Sequence, residues 1–275
     1  MSISHKYTCA LVCALGLLSA RAQPASAEAT QEKQPRVVTT ASAWLPEAGT
    51  VFLMGGFDQT IRPSGYASIG LGGVAELGLS LDRQRSEPGQ EAKLALAHFK
   101  MGTPEGFGHR FVPAVALSYR KTLPSEIQFI SLSDTFEVAV LGAVISKRMG
   151  PVSLHIGAEL FSAEDETSGK SLNKVIRPTL GLEWHPADLP LTTLVADMHW
   201  LPGNSNESES GDALLDTRWN AAWGVRYQSL DWASIDLNLR LQEGESISEA
   251  IITLGLTGSF SVLNPELSLE RAQDN

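Results

Sequence analysis

Glu249-Ala250-Ile251-Ile252-Thr253-Leu254-Gly255-Leu256-Thr257-Gly258-Ser259-Phe260 is the stretch whose reading decides the fold. Ala250, Ile252, Leu254, Leu256, Gly258 and Phe260 fall on one side of an extended chain; Ile251, Thr253, Gly255, Thr257 and Ser259 fall on the other. Successive side chains of a strand point to opposite faces, so this segment has a greasy face and a polar or small face. Its length suits a tilted strand crossing a bilayer, which needs about 9–11 residues.

The same unit recurs upstream to Thr50. Candidate strands are 50–58, 66–72, 74–83, 91–100, 110–120, 135–146, 152–162, 174–184, 191–200, 217–228, 232–241 and 249–260. An all-β fold follows: a closed antiparallel transmembrane β-barrel of about twelve strands (about 10 to 14), an even number as such barrels have. The connections alternate. Segments such as 121–134, 163–173 and 201–216 are long and rich in Ser, Asn, Gly and acids, whereas 147–151, 185–190 and 229–231 are tight. Short periplasmic turns and longer outer loops predict this alternation and put both ends of the barrel in the periplasm. A secreted sandwich or lipocalin-like barrel would also alternate. The long strands and the Gly and Ala on their polar faces favour the membrane barrel.

The N-terminus reads as an export signal. His5 and Lys6 precede an apolar stretch from Tyr7 to Ala20, and Ala25-Ser26-Ala27 has the small-x-small form of a cleavage site. The domains are therefore a signal peptide (1–27), a periplasmic N-terminal arm (28–49), the barrel (50–260) and a periplasmic C-terminal tail (261–275). Cleavage near Ala27 leaves 248 residues and removes both cysteines, Cys9 and Cys13. Ala10-Leu11-Val12-Cys13 is a poor lipidation site, too early and without a small residue before the Cys. Removing Lys6 and Arg21 leaves 19 basic against 31 acidic side chains, a net charge of −12, which argues against nucleic acid as a partner. A mean hydropathy of −0.03 is compatible with a barrel, because half of each strand faces the lumen.

The segment Ile252–Phe260 resembles the terminal strand of bacterial outer-membrane β-barrel proteins of the porin-like class, the strand read by the outer-membrane insertion machinery. The likeness extends over roughly 50–260, and the chain departs from it by continuing for fifteen residues beyond Phe260. The resemblance implies residence in the outer membrane, with its lipids, lipopolysaccharide and insertion machinery as partners.

Aromatic residues predict two interface belts. Phe57, Tyr66, Tyr119, Phe136, Trp200 and Trp219 fall near the outer rim, and Trp184, Tyr227, Trp232 and Phe260 near the periplasmic rim; Trp223, mid-strand, breaks the pattern. Phasing each strand by its apolar face gives the candidate lumen charges Arg177, Glu183, Asp197, His199, Arg218, Arg226, Asp236 and Arg240. Earlier strands add Glu76, Ser80, Asp82, Glu91, Lys93, Arg110, Ser118, Arg120, His155 and Glu159, with Asn220 and Asn238 later; the sixth strand, with Val and Ala on both faces, gives no phase. Charges of both signs in a narrow barrel are expected to pair, giving either a filled lumen or a narrow selective passage.

Asp197-Met198-His199 and Ser153-Leu154-His155 each put an acid or hydroxyl and a His on one strand face. The first resembles the Asp–His pair of omptin proteases, with Asp82 opposite, but lacks their further acidic pair. The second resembles the pair of outer-membrane phospholipases, but faces inward rather than toward lipid. The expectation is a non-enzymatic barrel without cofactor or dedicated metal site. The acidic outer segments Glu164-Asp165-Glu166 and Glu207 to Asp212 could hold divalent ions loosely beside lipopolysaccharide. Its duty is either a narrow passive channel or a scaffold of a multiprotein envelope complex for surface motility or polysaccharide export, which the arm and tail would engage.

Overall fold

Alternating sequences form strands here because each strand has one face that lipid accepts and another that the lumen accepts. In the computed structural model, residues 34–59, 63–87, 90–123, 136–165, 170–202, 217–230 and 232–263 are described, with the backbone only at 82–87, 90–93, 136, 165, 170–173, 201, 202, 217 and 218. The strands are β1 (Thr50–Asp58), β2 (Pro63–Gly70), β3 (Ala75–Glu87), β4 (Gln90–Thr103), β5 (Ala114–Thr122) and β6 (Phe136–Met149). They continue with β7 (Val152–Asp165), β8 (Lys170–Trp184), β9 (Thr192–Pro202), β10 (Thr217–Leu230), β11 (Ala233–Gln242) and β12 (Ile251–Ser261). Each pairs antiparallel with its neighbours in sequence, and β1 pairs with β12 from Thr50↔Ser261 to Asp58↔Thr253, closing the barrel. Every strand thus has a neighbour on each side, the condition for backbone to cross hydrocarbon as a sheet. The end where β1 begins and β12 finishes is called the terminal end below, and the opposite one the loop end.

The decisive stretch is phased as its sequence predicts. Ile252, Leu254, Leu256 and Phe260 are exposed on the outside, while Gly255, Thr257 and Ser259 are buried toward the lumen. Leu79, Leu117, Leu141, Ile156, Ile176 and Leu180 extend the outer apolar belt around the wall. Trp223 also faces outward, which accounts for an indole at mid-strand.

Three strand assignments shift. β5 begins at Ala114, so Arg110 lies in the preceding turn, exposed and with its guanidinium 4.7 Å from the Phe111 ring, rather than in the lumen. β4 has the opposite phase: Leu94, Leu96, His98 and Lys100 are buried on the lumen side and Phe99 and Met101 are outside. The apolar-outward rule fails there because Leu94 and Leu96 join Val138, Val140, Phe161 and Ala163 in an apolar cluster. That cluster also phases β6, whose Val138, Val140, Val144 and Ser146 are buried while Leu141 and Ile145 are exposed.

Placing Arg at Leu180, exposed on the outer wall between Ile156 and Met198, should destabilise the inserted barrel by about 2–4 kcal/mol, the cost of such a residue near the bilayer midplane. Urea unfolding in phospholipid bilayers measures it.

Candidate functional site

The lumen is the candidate site, and the chain itself occupies it. Over Gln34-Pro35-Arg36-Val37-Val38-Thr39-Thr40-Ala41-Ser42-Ala43-Trp44 the backbone doubles back. Arg36 bridges Ala41, the Val37 N–H donates to the Thr40 carbonyl at 3.1 Å, and the Ser42 N–H donates to the Pro35 carbonyl at 3.0 Å. This is a small hairpin with a tight turn at Val37–Thr40. Val37 and Ser42 are wholly buried, and Trp44 is 2 % exposed. The reading of 28–49 as a periplasmic arm is thus corrected over 34–44, which lie inside the barrel; 1–33 and 264–275 lie outside the described residues. The physical reason is that an inner wall bearing charges leaves polar groups in need of partners, and a peptide main chain supplies both donors and acceptors.

Asp197, midway along β9, receives the turn. Its Oδ2 accepts the N–H groups of Val38 (3.1 Å), Thr39 (2.6 Å) and Thr40 (2.8 Å), and the Thr40 hydroxyl at 3.2 Å; its Oδ1 accepts the Thr39 hydroxyl at 3.0 Å. Successive N–H groups of a turn converge on one point and form a nest for an anion, here a carboxylate. Arg226 on β10 donates to the Val37 carbonyl at 2.7 Å. Lys100 on β4 donates to the carbonyls of Pro35 and Ser42, both at 3.3 Å, and the Ala43 N–H donates to Ser146 Oγ at 2.7 Å.

The wall is shaped to the segment. A Cβ on Gly181 would lie 2.9 Å from Val37 Cγ2, and one on Gly70 would lie 2.2 Å from the Glu47 carbonyl oxygen. Small residues Ala114 and Ala116, with Val144, leave room for Trp44, whose ring meets His155 edge-on at 5.6 Å. Beside the hairpin a gap of about 20 Å³ remains, bordered by Arg36, Ala41, Glu76 and Arg120, space for about one water.

The charges behind the hairpin pair among themselves. Glu76 takes Lys100 at 3.1 Å and the Tyr66 hydroxyl at 2.6 Å, and Tyr66 stacks on His98 at 4.6 Å. Tyr66 is therefore a lumen residue and not part of the outer aromatic belt. Glu159 sits between Arg120 and Arg177, the latter at 2.5 Å and also 4.2 Å from the Phe161 ring. Arg226 bonds Asp236 at 2.7 Å and Glu183 at 3.3 Å, and the Thr257 hydroxyl donates to Asp236 at 2.6 Å.

Of the candidate lumen charges, Arg177, Glu183, Asp197, Arg226 and Asp236 are buried inward. His199 shares the Asp197 face, with Nδ1 3.4 Å from the Thr39 hydroxyl. Arg240 lies on the same strand face as Asp236 and is half-buried, and the Arg218 side chain lies outside the described residues. Trp184, Trp232 and Phe260 are exposed at the terminal end, and Trp200 and Trp219 are half-buried opposite one another near the loop end.

The two local pairs do not assemble as reactive sites. Asp197 is committed to the hairpin. His155 Nδ1 bonds Ser146 at 2.7 Å, while Ser153 Oγ is buried without a hydrogen-bond partner. Sequence phasing missed Lys100 through the inversion of β4, and Ser146 because β6 is apolar on both faces. The hairpin had one signal, the β-branched run Val37-Val38-Thr39-Thr40 within an otherwise polar lead.

This architecture defines the class: the chain has the fold of a bacterial outer-membrane β-barrel protein. No family model and no curated protein matches it. Among solved structures it is similar to an outer membrane channel from Pseudomonas putida F1, at 11% identity and a TM-score of 0.50, over 78% of this chain and 97% of that one. It is also similar to the KdgM porin, at 9% identity and a TM-score of 0.48, over 77% and 99%. A third is the outer membrane phospholipase A from Escherichia coli, at 12% identity and a TM-score of 0.38, over 79% and 98%.

Glu159→Ala removes the carboxylate that Arg120 and Arg177 share in the lumen and should lower stability by about 3–5 kcal/mol, the cost of breaking a buried pair. Glu137→Ala, which breaks the solvent-exposed pair with Lys121, should leave the unfolding midpoint nearly unchanged. Parallel urea titrations in micelles compare them.

Proposed function

We propose that this protein is a porin-like barrel of the outer membrane whose passage is held shut by its own N-terminal hairpin. One observation carries the reading. What closes the lumen is a separate segment held by hydrogen bonds, and behind it the wall keeps the paired charges of a solute-lining surface. In this reading the terminal end faces the periplasm, the export signal is cleaved near Ala27, and the outer belt meets lipid and lipopolysaccharide after delivery by the insertion machinery. In this reading the barrel acts without catalysis, Asp197 of the Asp197–His199 pair being held by main-chain N–H groups.

A second reading, a scaffold barrel of an envelope complex, is favoured by the tight seat of Trp44 and Val37, which stiffens the lumen as an anchor would need.

Planar-bilayer conductance separates the two. The intact processed protein should show rare or no current steps, and a variant lacking residues 34–45 should show frequent long openings. Silent bilayers with the shortened protein, once its heat-modifiable gel mobility shows that it has folded, would leave the scaffold.

A further inference from the structure

We infer that the terminal half of the lumen is a peptide-binding site, occupied in cis by Gln34–Trp44 and open to exchange with a peptide of the same chemistry supplied from outside. The inference shares with the closed-passage reading the separability of the hairpin, but it does not require that the barrel conduct.

The recognition is directed chiefly at main chain. A carboxylate, Asp197, gathers three consecutive N–H groups of a tight turn. A guanidinium and an ammonium, Arg226 and Lys100, take three carbonyls on the two arms of the hairpin. A hydroxyl, Ser146, takes one further N–H. These are complementary donors and acceptors, placed here around a peptide backbone folded on itself.

Three of the four wall groups that grip the hairpin are themselves backed by the barrel. Arg226 is braced by Asp236 and Glu183, Lys100 by Glu76, and Ser146 by His155. The seat is thereby preorganised, the condition under which binding loses least to ordering. Two side-chain positions add selectivity. The glycine at 181 admits a β-branched residue at the first turn position, and the recess at Ala114 and Ala116 admits an indole seven residues later. The ligand class is therefore a short peptide with a tight turn, a β-branched residue opening the turn and a tryptophan following it. A periplasmic protein presenting such a segment would displace the hairpin and occupy its place.

The test uses the processed chain expected from cleavage near Ala27, which holds no cysteine because Cys9 and Cys13 precede that point. Ala41→Cys places one thiol on the hairpin, away from the hydrogen bonds that hold the turn. Its reaction with a membrane-impermeant maleimide is followed in detergent micelles. The rate should rise about tenfold or more when a synthetic peptide of residues 34–47 is added in excess, and a fluorescent copy of that peptide should be retained by the barrel. A peptide of the same composition in scrambled order should do neither. In Asp197→Asn the thiol should react about tenfold faster without peptide, since the carboxylate charge no longer holds the three N–H groups. Failure of the native peptide both to accelerate labelling and to bind would overturn the inference, and this arm requires no change to the wall. Equal effects of native and scrambled peptides would overturn it too.

Discussion

The pairing of β1 with β12 is the constraint from which the rest follows. Nine consecutive partners, from Thr50↔Ser261 to Asp58↔Thr253, join the two ends of the chain's β region into one seam. Once that seam exists every strand has two neighbours, and the wall has an inside and an outside. Side-chain alternation then ceases to be a local preference and becomes a division between two solvents, with Leu254 and Leu256 toward lipid and Gly255 and Thr257 toward the lumen. Slipping one strand by a single residue would send its whole polar set into hydrocarbon, so register is fixed by the same seam.

Enclosure sets the chemistry of the interior. A wall carrying Glu76, Glu159, Glu183, Asp197 and Asp236 alongside Lys100, Arg120, Arg177 and Arg226 cannot leave them solitary away from bulk water. Most are neutralised by neighbours across one or two strands. Asp197 is answered by the main chain of the hairpin, which brings it three N–H groups. Polar satisfaction and closure of the lumen are thus one arrangement. The N–H groups that balance Asp197 belong to the segment that fills the space.

The architecture was legible in the sequence because its signal is repeated: one alternating unit around the whole wall, with turn residues between. Phasing by apolar face placed Arg177, Glu183, Asp197, Arg226 and Asp236 on the lumen side. It failed where the lumen is itself apolar. Leu94 and Leu96 read as lipid-facing, yet they pack with Val138 and Phe161, and β6 offered no contrast to read. The hairpin was illegible for a different reason. Its eleven residues make a single bridge, Arg36↔Ala41, and its place is fixed by contacts more than a hundred residues away in sequence, such as Thr39 with Asp197. No local pattern encodes a partner at that separation. Trp44 is placed in the same way, by the alanines at 114 and 116 that make room for it.

The seat of the hairpin is assembled from β4, β6, β8, β9 and β10, whereas the hairpin itself precedes β1. Its docking surface is complete only after strands far downstream have joined the wall. Contacts so distant along the chain form late. Folding therefore closes the cylinder before this segment can settle fully in its bore, and a piece that precedes the first strand comes to rest after the last has been placed.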